Sequence, residues 1–178
     1  KKDCKMKKII YFLVFVVLFS SCESNVVVSK KGDKVLETKA INTVLDGWHT
    51  SATEANFETY FESMSNEAVF IGTDASENWK LSAFKNFSKP YFDKGKAWDF
   101  KPVSRNVYVH KNGNFAWFDE LLDTWMGVCR GSGVLIKNED TWKIEHYVLS
   151  LTVPNNNIQE VIKINKVKDS LFLQKLNK

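Results

Sequence analysis

The chain has 178 residues, 44% of them hydrophobic and 26% charged, with 13% aromatic residues, 3 Pro and 8 Gly. That length favours one domain with a sizeable core, and the composition excludes collagen, a disulfide-rich miniprotein and a wholly disordered chain. The formal charge of +4 does not indicate nucleic-acid binding: residues 1–21 hold five of the 25 basic and one of the 21 acidic residues, so the remainder is neutral and has no basic surplus to release phosphate counterions.

In chain order, Met6-Lys7-Lys8 opens a short cationic region, Ile9 to Phe19 is an unbroken apolar run, and Ser20, Ser21 and Cys22 follow. This pattern reads as a secretory signal over 1–21, too short for an ordinary spanning helix. Lys1 to Lys5 precede Met6 and read as an over-extended start. Small residues directly before a cysteine resemble the bacterial lipobox, with Phe19 where that motif usually carries leucine. The resemblance implies a diacylated Cys22, hence an exported lipoprotein anchored to a membrane of the bacterial cell envelope. The alternative is an ordinary cleaved signal with an incidental cysteine. Glu23 to Gly32 has no helical period, and residues 22–32 read as a tether. With Cys4 and Cys22 outside the fold, Cys129 stands alone, so no disulfide forms within the domain and the thiol reads as a small hydrophobe.

From Asp33, apolar residues at Leu36, Ala40, Ile41, Val44, Leu45 and Trp48 predict a helix with one buried stripe. Ser51 and Glu54 form a capping-box pattern for a second helix carrying Phe57, Tyr60, Phe61 and Met64. Glu67 to Gly72 is a short strand. A third helix lies between Ser82, its N-cap, and Asp93, disturbed by Pro90 and ended by Gly95. Beyond Gly95 the period changes to two. Ala97 to Lys101 and Arg105 to Lys111 read as strand, and Asn112-Gly113 is a hairpin turn. Phe115 to Thr124, Val128 to Ile136 and Trp142 to Leu151 complete an antiparallel meander that Pro154 and Asn155 to Asn157 end. Residues 165–178 read as a tail or short docking helix. Helices then cover one face of a curved antiparallel sheet, an α+β arrangement in a single domain over residues 33–164.

The runs AWFDELLDTW (Ala116–Trp125), RGSGVL (Arg130–Leu135) and WKIEHYVLSLTVPN (Trp142–Asn155) resemble the SnoaL-like group of the nuclear transport factor 2 superfamily. VFIGTDASENW (Val69–Trp79), PYFDKGKAW (Pro90–Trp98) and Arg105 are similar to that group in order and spacing. The resemblance covers about residues 35–160. It implies a cone-shaped α+β domain with a pocket between helices and concave sheet, and members that often dimerise through the sheet. It implies no single activity, because the superfamily includes cyclases, isomerases, dehydratases and transport factors.

Strand alternation assigns the faces. A two-residue turn at Asn112-Gly113 pairs Val109 with Ala116, Val107 with Phe118 and Arg105 with Glu120. A three-residue loop, Thr124 to Met126, sets Phe118 opposite Ser132 and Glu120 opposite Arg130. The last turn sets Ile136 opposite Trp142, Val134 opposite Ile144 and Ser132 opposite His146. Arg105, Glu120, Arg130, Ser132 and His146 thus cluster on the concave face, and Tyr108, Phe115, Trp117 and Tyr147 line the outer one. A one-residue slip in the middle loop would exchange Glu120 for Asp119 on that face.

Two arginines flanking one glutamate support two readings. A spare guanidinium could hold an acidic group while Glu120 or His146 moves a proton, or the trio is a closed ion-pair network. Trp48, His49 and Tyr60 on the helices complete the expected ligand-binding set, with His49 near the pocket mouth; His110 falls on the outer face. No His or Cys spacing suits a metal, and no nucleotide-binding loop or other cofactor motif is present, so neither metal nor cofactor is expected. The leading reading is a lipid-anchored domain that binds a small, partly apolar or acidic molecule, with a homodimer through the outer face. An enzyme of the cyclase or isomerase kind is the alternative, and a scaffold with a filled cone the third; an open cavity of roughly 300 Å³ separates the ligand readings from the scaffold.

Overall fold

Helix α1 (Lys31–Thr53) opens the computed structural model, which describes residues 31–177. The signal, the lipidation cysteine and nearly all of the tether expected over residues 1–32 lie outside the described residues; Lys31 and Gly32 already belong to α1. Its buried stripe is Ile41, Leu45, Trp48 and Ala52, whereas Leu36 is exposed. Upstream of that stripe Glu37 fastens the helix, its carboxylate accepting from Lys137 Nζ and Trp142 Nε1, each at 2.6 Å. Ser51 does not cap a second helix. It lies within α1 and donates to the Gly47 carbonyl at 2.8 Å. The chain breaks at Ala55, which takes a φ of 54, and helix α2 (Phe57–Glu62) starts from Asn56, whose Oδ1 accepts from Thr59 N.

Met64 begins strand β1 (Met64–Ile71) instead of ending α2, and a short β2 (Asn78–Lys80) leads into α3 (Leu81–Phe92). Lys80, not Ser82, stands at the N-cap of α3, without a side-chain bond, and Pro90 sits in the last turn. The meander is β3 (Lys101–Val109), β4 (Phe115–Thr124), β5 (Gly127–Asn138) and β6 (Thr141–Leu151). Ala97 to Phe100, expected as strand, is irregular. A single helical turn at Asn155–Asn157 precedes α4 (Ile158–Leu176), which runs unbroken through residues 164 and 165 and buries none of its residues. The sheet order is β2-β1-β6-β5-β4-β3; β1 is parallel to β6 and every other pair is antiparallel. Helices α1 to α3 pack on its concave face, giving the α+β cone.

The register decides which residues share that face. Strands β3 and β4 pair as the hairpin arithmetic requires, with Arg105 opposite Glu120. The next turn is one residue shorter than expected: Thr124 pairs with Gly127, leaving only Trp125 and Met126. Gly127, at a φ of +93, supplies the left-handed backbone that this tight turn needs. Glu120 therefore faces Gly131, not Arg130, and Phe118 faces Gly133, not Ser132. In β6 one extra residue intervenes, since Leu135 pairs with Ile144 but Val134 with His146. Glu145 is the bulged residue, held by the Ser65 hydroxyl of the neighbouring parallel strand. The β5–β6 turn is also one residue shorter than expected: Asn138 pairs with Thr141, so Ile136 faces Lys143, and Trp142 and Ile144 stay inside opposite Lys137 and Leu135. Together the three shifts carry Arg130, Ser132, Val134, Ile136, His146 and Val148 to the outer face and bring Tyr147 and Leu149 inside.

Candidate functional site

Glu120 is the most deeply buried charge of the concave face, 1% exposed. Its Oε1 accepts from His49 Nε2 at 2.8 Å and from the Tyr147 hydroxyl at 3.0 Å, and its Oε2 accepts from Arg105 Nε at 2.8 Å. An ionised carboxylate only accepts, so the shared hydrogen sits on the His49 Nε2. Burial alone would push the Glu120 carboxyl up; the bonds from His49 and Arg105 outweigh it and hold it below the ordinary glutamate range. Burial and the Glu120 charge drive the Tyr147 phenol well above its usual range, so the hydroxyl stays a donor. Arg105 also donates through Nη1 to Asp46 at 2.7 Å and Asn42 at 3.2 Å on α1. Its Nη2 is buried without a partner among the described residues.

The glycines of RGSG explain how this cluster fits. A Cβ on Gly131 would overlap the Tyr147 hydroxyl and crowd Glu120 Oε1, and one on Gly133 would overlap the His146 carbonyl and Phe118 ring. Both face inward: the missing side chain of Gly131 leaves the space that Tyr147 and Glu120 occupy, and that of Gly133 the space of the Phe118 ring.

Of the residues expected to bind a ligand, Trp48, His49, Tyr60, Arg105 and Glu120 do gather beneath α1, while Arg130, Ser132 and His146 do not. Arg130 is exposed, Ser132 and His146 are half-buried, and all three lie on the outer face because the β4–β5 turn is short and β6 is bulged. The Arg105–Glu120–Arg130 trio is thus replaced by Arg105–Glu120–His49–Tyr147. His49 is a buried partner of Glu120 that also lines a groove with Asp46, Thr53 and Lys101, and His146 is no partner of the cluster. Trp48 and Tyr60 belong to the filled interior, their rings stacked at 5.0 Å. Tyr147, expected on the outer face, meets Trp48 edge-on at 4.7 Å.

An aromatic-walled pocket lies elsewhere, at the mouth of the cone. A pocket of about 230 Å³ forms where α3, the segment Ala97 to Phe100, the β4–β5 turn and the ends of β1 and β6 converge. Phe70 and Phe84 form part of its wall, stacked at 4.0 Å, and Phe70 stacks in turn on Tyr147 at 5.5 Å. The column Glu120–Tyr147–Phe70–Phe84 therefore joins the buried carboxylate to the pocket wall. Trp79, Phe87, Tyr91, Trp98 and Trp125 add aromatic surface at the rim. Trp79, Tyr91, Trp98 and Trp125 fall in the family-like runs of the sequence, but nothing in a single sequence marks which aromatics stop short of filling a cone. Among the described residues no group of His, Cys, Asp and Glu is arranged to hold a metal ion, and no helix is long and apolar enough to cross a membrane.

A family model described as a SnoaL-like domain matches residues 41–154. No curated protein matches the chain. Among solved structures, an NTF2-like protein of unknown function from Pseudomonas putida KT2440 superposes with a TM-score of 0.56 at 14% identity, covering 68% of this chain and 90% of that one. A proposed dehydratase of the NTF2-like family from Streptomyces avermitilis gives 0.59 at 10% identity, covering 68% and 99%. A proposed ketosteroid isomerase from Shewanella frigidimarina gives 0.52 at 18% identity, covering 62% and 94%. At these identities the likeness establishes the fold alone.

Proposed function

The chain belongs to the SnoaL-like domain family, and we propose that it is an exported, lipid-anchored domain that binds a small, partly apolar molecule at the mouth of its cone. The observation that carries this reading is the aromatic-lined pocket of about 230 Å³. At about 230 Å³ this open cleft falls below the roughly 300 Å³ set as the divide between the ligand readings and the scaffold; the support for a ligand is its aromatic lining. An acidic group on the ligand was expected from a spare guanidinium, but Arg130 lies on the outer face and Arg105 does not line this pocket. Envelope anchoring rests on Cys22 and the apolar run before it. A homodimer is supported by Tyr108, Phe115 and Trp117, which stand 45%, 36% and 44% exposed on the outer sheet face; Tyr147, once expected with them, is inside.

Native mass spectrometry of the purified protein tests the ligand reading. A bound small molecule is expected in the wild type and should be absent from Ala97→Trp, which fills the pocket. A wild type with no bound mass, or a variant that keeps it, contradicts the reading and favours the scaffold alternative.

One observation favours a second reading, a proton-transfer enzyme of the isomerase or cyclase kind. His49 bonds to the ionised Glu120 and also lines a groove of about 330 Å³ with Asp46, Thr53, Asp99 and Lys101. A carboxylate that orients an imidazole beside open space is a general acid–base arrangement. Under this reading the molecule exchanges a carbon-bound hydrogen beside its carbonyl for deuterium when incubated in D2O with wild type, and not with His49→Gln.

A further inference from the structure

We propose that the mouth pocket selects an organic cation, an ammonium group carried on an apolar or aromatic body. The proposal rests on the reading of this pocket as the ligand site and specifies the class of its ligand. Among the described residues lining it, Glu77 is the single charged side chain, and no Lys, Arg or His is present. The rest of the wall is dominated by aromatic rings, whose faces carry negative electrostatic potential and attract a cation. An anion would meet the same faces and an uncompensated carboxylate.

The loop before β2 is built to hold Glu77 there. Gly72 N donates to the Glu77 carbonyl at 3.0 Å, Glu77 N donates to the Asp74 carbonyl at 2.9 Å, and Asp74 N donates to Glu77 Oε2 at 3.2 Å. A Cβ on Gly72 would overlap the Glu77 carboxylate, so glycine at that position lets the charge lie against the pocket wall. On the opposite rim Trp125 is 83% exposed on its two-residue turn, an open indole face that the protein's own core does not use.

Three probes that share a benzyl group separate the possibilities: benzyltrimethylammonium, benzyl alcohol and phenylacetate, each titrated against the full chain by tryptophan fluorescence. The cation should bind about tenfold tighter than the neutral alcohol, and phenylacetate weakest. Glu77→Gln should weaken the cation about fivefold and leave benzyl alcohol within about twofold; Trp125→Leu, at an exposed position, should do likewise. If benzyl alcohol or phenylacetate matches the cation, or if Glu77→Gln changes all three alike, the cation proposal is overturned while the pocket reading stands. If none of the three binds, both are overturned.

Discussion

Replacing Glu120 with alanine tests the reasoning about the buried cluster. The substitution removes the acceptor for three side chains at once: His49 Nε2, the Tyr147 hydroxyl and Arg105 Nε. Arg105 keeps Asp46 as its charge partner, but Asp46 is 63% exposed on its side chain, whereas that of Arg105 is 7% exposed. Stranding one partner of a buried pair costs about 3–5 kcal/mol. Urea denaturation of residues 31–178 should therefore show Glu120→Ala less stable by about 3–5 kcal/mol, while Arg130→Ala on the outer face should cost less than about 0.5 kcal/mol. The same carboxyl sets a pH window. Its folded pKa lies below its unfolded value, so its contribution is complete above the unfolded value of about 4.3 and is lost as pH falls through the folded one. In Glu120→Ala that acid-side loss should be smaller. A cost below about 1 kcal/mol, or equal costs for the two alanine variants, would refute the buried-cluster account.

Three further outcomes follow from the geometry. Gly131→Ala should destabilise by about 1–3 kcal/mol because its Cβ overlaps the Tyr147 hydroxyl, whereas Gly47→Ala, mid-helix with open space around it, should stabilise by about 0.5–1 kcal/mol in the same assay. Labelling cells with a palmitate analogue should mark the wild type and not Cys22→Ala; equal labelling would remove the lipid anchor. Sedimentation at tens of micromolar should show a dimer that Trp117→Lys converts to monomer, and a monomeric wild type would remove the outer-face interface.

The parts of this structure legible in the sequence are those set by local pattern. The Asn-Gly signal placed the β3–β4 register, and with it the Arg105–Glu120 pair, although the backbone turns over Lys111-Asn112, with Gly113 N donating to the His110 carbonyl and Gly113 at a φ of +73. The helical stripe placed Trp48 and Leu45 in the core. What escaped were three single-residue shifts: two hairpin turns, each one residue shorter than expected, and one bulge with a non-local cause. The length of the Thr124–Gly127 connection is a backbone choice that the sequence WMG states weakly. The Glu145 bulge is stabilised by Ser65, eighty residues away on a parallel strand. One signal could have revealed the β4–β5 shift and the bulge. Gly131 and Gly133 are spaced to face one side of the sheet, and placing them inward opposite bulky Phe118 and Tyr147 gives the observed alternation. The mouth pocket had no comparable signal, since the aromatics that line it look like those that fill the core.

The folded region carries two methionines, Met126 in the pocket wall and Met64 buried under α2 outside it. Titrating protein labelled with carbon-13 at the methionine methyls with benzyltrimethylammonium and with benzyl alcohol places a bound molecule directly. The account requires the Met126 methyl resonance to move with saturation while that of Met64 stays fixed; a response at Met64 alone, or at neither, would contradict a ligand site at the mouth of the cone.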